Sequence, residues 1–130
     1  MKVIRSFCVF AAAALVSASL SLADKHTGGS TTTQFQGPKA NTGMAMLFKE
    51  NGKTLLKVSD DFKVPDTPAP TWRVVDSKGQ IYTLDAFKIK GGEKRQVIVP
   101  AYVHDVVTVQ VYCAWAEVLL GDAKFATAQK

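Results

Sequence analysis

From Phe35 onward the apolar residues fall in runs of four to eight, separated by glycine, proline, asparagine and aspartate. That spacing is the signature of an all-β sandwich or barrel, because strands alternating with longer helical stretches would space the runs differently. Met44 to Phe48 and Thr54 to Val58 flank Lys49-Glu50-Asn51-Gly52-Lys53, and Asn-Gly adopts the positive φ angles of a tight hairpin turn. Thr71 to Val75 and Gln80 to Leu84 flank Asp76-Ser77-Lys78-Gly79, a second hairpin. Between the hairpins, Pro65, Pro68 and Pro70 fall within six residues, remove ladder donors and predict an irregular crossing. Further strands are expected at Lys88 to Lys90, Val97 to Val99, Val106 to Cys113, Glu117 to Leu120 and Ala123 to Ala126. The pattern thus predicts an antiparallel β-sandwich of eight or nine short strands. Ala114 to Leu120 has helix formers but no cap and too little length, so a strand is expected there.

Within Val106 to Cys113 the period of two places Val107, Val109, Val111 and Cys113 on one face and Thr108, Gln110 and Tyr112 on the other. The valines mark their face as the inner one.

Ahead of the patterned region, residues 1–23 read as a secretory leader. Lys2 and Arg5 are its positive start, Phe7 to Val16 its apolar centre, and Ser21-Leu22-Ala23 its small-x-small cleavage site. Residues 24–34 are polar and rich in glycine and threonine, and are expected to be a flexible lead-in. The domain proper is assigned to residues 35–127. Cleavage after Ala23 leaves 107 residues, the size of one domain. Periplasmic or extracellular location follows, with no membrane anchor, since the rest of the chain has no apolar stretch near the roughly 20 residues a spanning helix needs.

Removing Lys2 and Arg5 from 16 basic residues, against 11 acidic ones, leaves a net charge of +3. The lysines are scattered and interleave with no aromatic row, so nucleic acid is not an expected partner.

Cys8 leaves with the leader, and Cys113 remains as a lone thiol in an exported chain. Such a thiol is either a small buried core residue or a reactive group. Neither histidine nor methionine follows it, which excludes a blue-copper loop, and one cysteine cannot attach haem through Cys-x-x-Cys-His. The remaining metal candidates are Cys113, Met46 and His104, with Met46 expected to face Cys113 across the sandwich and copper(I) the better chemical match than haem. Met44 shares the face of Met46, Trp72 and Trp115 read as core or rim aromatics, and His26 falls in the lead-in. No cofactor is expected to be held tightly. Ser59-Asp60-Asp61 sets a serine beside carboxylates, but without a nucleophile elbow or a paired histidine it supports no hydrolytic site.

Four blocks carry a family resemblance: Leu56 to Val64; the proline crossing with Trp72-Arg73-Val74-Val75; Tyr82 to Lys88 leading to Gln96 to Pro100; and Val106 to Cys113 closing with Val118-Leu119-Leu120-Gly121-Asp122-Ala123. Together they resemble the DM-thirteen domain, the electron-transfer domain of Skeletor-type proteins, related to DOMON domains. The resemblance spans about Gly37 to Phe125. It implies an exported β-sandwich whose cysteine, at the Cys113 position, takes part in redox chemistry with a partner protein that the sequence does not name. The chain departs from the family pattern at Ala69 and at Leu120. Two functions therefore stand side by side: an exported redox or electron-transfer module using Cys113, and a structural or binding sandwich in which Cys113 only packs.

Overall fold

The computed structural model describes residues 29–130. The expected leader with its cleavage site, Cys8, His26 and residues 24–28 of the expected lead-in lie outside the described residues. Ten strands follow in order: β1 Ser30–Thr31, β2 Ala45–Glu50, β3 Lys53–Val58, β4 Pro70–Val75, β5 Ile81–Ala86, β6 Lys88–Ile89, β7 Gly92–Glu93, β8 Gln96–Val99, β9 Val106–Cys113 and β10 Val118–Gln129. They build two antiparallel four-stranded sheets that pack face to face, β1-β2-β3-β8 (sheet A) and β10-β9-β4-β5 (sheet B), beside a small β6-β7 ribbon. Among the described residues there is no helix, and none long and apolar enough to cross a membrane.

Each expected hairpin has its physical cause in place. Asn51 and Gly52 take φ of 51° and 76°, closing β2 onto β3 with Glu50 opposite Lys53. Gly79 takes φ of 81°, and the Asp76 carboxylate accepts from the Lys78 and Gln80 N–H groups, fixing the β4–β5 turn.

The core lies between the sheets. Ala45, Leu47, Leu56, Val58, Val97 and Val99 from sheet A meet Trp72, Val74, Val109, Val111, Cys113, Ala123 and Phe125 from sheet B. Four aromatic rings run through it in sequence, Phe35 to Phe62 to Phe87 to Trp72, with centroids 5.0, 5.5 and 4.4 Å apart. Trp72 is fully buried, and its indole N–H donates to the Lys94 carbonyl at 2.9 Å, so the ring is buried without an unsatisfied donor.

Several expectations need correction. The lead-in is not flexible from Ser30 on: β1 pairs with β2, and buried Thr32 accepts from the Ala45 N–H through its hydroxyl. Main-chain pairing and hydroxyl bonding do not require the apolar side chains that this segment lacks. In β9 the alternation holds from Val109 through Cys113 but slips at its start, where Val106 and Thr108 are buried and Val107 is only half-buried. The slip lies opposite the register irregularity of β10 between Lys124 and Gln129. The two short strands expected after Cys113 are one twelve-residue strand, preceded by an exposed turn at residues 114–117.

Candidate functional site

Cys113 ends β9 and projects inward with Val109 and Val111, at 1% exposure. Three pieces of chain meet around its sulfur. The first is the turn that follows it: Glu117 adopts a positive φ of 55°, its N–H donates to the Cys113 carbonyl at 2.8 Å, and the Ala116 N–H donates to the Cys113 sulfur at 3.5 Å. The second is the proline crossing, where the Ala114 N–H donates to the Ala69 carbonyl at 2.9 Å and ties the turn to the start of β4. The third is residues 37–40. Leu120 is an extra residue in β10, between the pairs Leu119–Tyr112 and Gly121–Val111, and its carbonyl accepts from both Lys39 and Ala40 N–H groups. That docking needs bare backbone. A Cβ on Gly121 would lie 2.1 Å from the Ala40 oxygen, and one on Gly37 2.3 Å from the Leu120 oxygen.

Above the sulfur these pieces leave a groove of about 280 Å³, bounded by Pro38, Lys39, Thr67, Pro68, Trp115 and Leu119 among others. It is almost wholly apolar, with Lys39 its one charged residue. Trp115 stands at its rim 75% exposed. Thr67 also lines it, and the Thr67 hydroxyl oxygen is buried with no hydrogen-bond partner.

The electrostatics at the sulfur are set by main-chain dipoles. The Ala116 N–H holds the Cys113 thiol below the ordinary thiol range; burial opposes this, while the main chain at Ala69 and Trp115 acts with Ala116. The Ala116 N–H favours the thiolate and the surrounding apolar core disfavours it.

The three sequence candidates for a metal are not brought together. Met46 lies between buried Ala45 and Leu47, so period two turns it to the outer face of sheet A, not across the sandwich to Cys113 as expected. His104 is exposed in the loop before β9, and Cys113 closes that strand, so eight residues at ~3.3 Å each set them roughly 25 Å apart. Among the described residues no three His, Cys, Asp or Glu side chains cluster to hold a metal ion. Ser59 is structural, since its hydroxyl accepts from the Met44 N–H and donates to Asp61, locking the exit from β3.

The residues that define the groove were not legible as a site. Thr67 sits among prolines, and Ala116 acts only through its N–H, which has no sequence signature. Trp115 reads from the sequence as core or rim, and residues 114–117, expected as strand, form the turn that sets it at the rim. No family model, curated protein or solved structure matches the chain.

Proposed function

We propose that this chain is an exported redox module of the DM-thirteen kind, with Cys113 as its reactive group. What supports the reading most is the Ala116 N–H directed at a sulfur that floors an apolar groove. The chemistry is thiol–disulfide exchange with a partner disulfide. The Cys113 thiolate attacks one partner sulfur, a new S–S bond forms as the old one breaks, and the departing sulfur leaves with the electron pair and takes up a proton. Attack by a second thiol on the mixed disulfide returns Cys113 to its reduced form. The partner approaches the sulfur through the groove above it, which leaves the Ala116 N–H in place.

A second reading is favoured by the burial itself. At 1% exposure, within the core cluster, Cys113 would only pack, and the chain would be a structural or binding sandwich.

Alkylation of the native protein by iodoacetamide across pH, with Cys113→Ser as the blank, separates the two. The redox reading expects native-state labelling whose midpoint lies below that of the denatured protein. Labelling that occurs only on denaturation would sink it.

A further inference from the structure

The opposite end of the sandwich carries a second groove, of about 400 Å³, formed where the β2–β3 hairpin, the loop between β8 and β9 and the end of β10 converge. Lys49, Lys53, Lys130 and His104 line it over a floor that includes Val99 and Val103, and no acidic residue lines it among those described. Lys49 and Lys53 come from one hairpin and Lys130 from the far end of the chain, so it is the approach of Lys130 to the hairpin that the fold produces. Lys49 has the inward phase of Ala45 and Leu47, one row beyond the last core residue, which aims it toward the open end between the sheets.

Of the cations outside this groove, Lys88 pairs with Asp66, Lys94 with Asp85 and Arg95 with Glu93. Among the described residues Lys49, Lys53 and Lys130 are in no ion pair. Two of the acids nearest to them are already engaged. Asp105, beside His104, accepts from both the N–H and the hydroxyl of Ser77, at 2.9 and 2.6 Å, although it also feels Lys130. Asp76 is held by its own turn. Glu50 sits directly opposite Lys53 in the hairpin register, on the same face of the sheet, and the two also line the neighbouring groove together.

Like charges left unpaired around a concave surface repel one another and focus a positive field into it, a cost that a bound anion relieves. We infer that this groove binds a multivalent phosphate ligand, its oxyanions bridging the lysines of the hairpin and of the β10 end. Phosphate of this kind reaches an exported protein free in solution or on a lipid headgroup. The groove is walled by a hairpin and a loop, which suits a ligand that can enter it.

Inorganic tripolyphosphate titrated into the protein by calorimetry tests this, beside vesicles of phosphatidylglycerol in phosphatidylcholine. The variant Lys49→Gln/Lys53→Gln/Lys130→Gln is compared with Lys63→Gln/Lys90→Gln/Lys124→Gln, which removes the same charge from exposed positions elsewhere. Tripolyphosphate should bind the native protein, at least tenfold more weakly to the first variant, and within twofold of native to the second. Vesicle binding that tripolyphosphate competes away would show the same site taking a headgroup phosphate. Equal losses in both variants, no binding by the native protein, or binding to vesicles alone would overturn the inference. Circular dichroism melting of both variants checks that the fold is intact.

Discussion

The two ends of β9 lie in one strand and obey the same pairing rules, yet the sandwich builds opposite surroundings at them. At the Cys113 end, chain segments dock backbone to backbone: residues 37–40 press on the Leu120–Gly121 bulge, and the turn after Cys113 is tied to Ala69. The product is an apolar groove over a buried sulfur. At the His104 end the connections are tight turns with open space around their glycines, and carboxylates take up the free N–H groups. The product is a cationic groove open to solvent. One end therefore sets main-chain N–H groups around a buried thiol, while the other gathers long charged side chains. A rigid strand keeps the two chemistries about 25 Å apart.

The sharpest way to break the contrast is to add one methyl group at each end. Gly121→Ala forces its Cβ into the Ala40 carbonyl and should cost about 3 kcal/mol or more in chemical denaturation, because backbone must move. Gly52→Ala meets no neighbouring atom and is strained only by its positive φ, so about 1 kcal/mol is expected. Equal costs would show that the docking at Leu120 does not hold the thiol end together.

Between the ends, the period of two in β9 is tested by Val109→Ala and Gln110→Ala. Val109 is fully buried, and its truncation should cost about 1–3 kcal/mol; Gln110 faces outward to Arg73, and its loss should cost under about 1 kcal/mol. A Gln110 cost as large as that of Val109 would mean that the Arg73, Gln110 and Tyr112 cluster on the outer face is a second core.

The smallest effects are in pH dependence, and they differ in window between the ends. The folded-state pKa of Cys113 is lowered, so its contribution is fully present above the unfolded thiol value of about 8.5 and is lost as pH falls through the folded value. The melting temperature of the native protein relative to Cys113→Ser should thus rise with pH across that window. Asp105 is also lowered, chiefly by the Ser77 hydroxyl, so its contribution is present above about pH 4 and lost in stronger acid. Relative to Asp105→Asn, native stability should fall only there. A Cys113→Ser difference that stays flat with pH would remove the electrostatic argument for a poised thiolate.

Most of the fold was readable because its causes are local. Asn51-Gly52 turns the chain wherever it occurs between two strands, the prolines at 65, 68 and 70 leave only Pro70 to begin a strand, and valine alternation sets the face of Val109, Val111 and Cys113. Reading failed where a segment is held by partners it does not contain. Ser30 to Thr32 look too polar to order themselves, but β2 supplies the ladder and Ala45 the donor.

The sequence by itself determined an all-β chain, its two hairpins and the inward direction of the Cys113 thiol. Only the tertiary structure decided what surrounds that thiol, because Thr67 and Ala69 reach it from a distant part of the chain, and the main-chain N–H of Ala116 has no letter of its own. It also decided that lysines which are scattered along the chain stand together in space. Period and turn chemistry act over a few residues and can be read in line; the meeting of residues 49, 53, 104 and 130 depends on how two sheets close on each other.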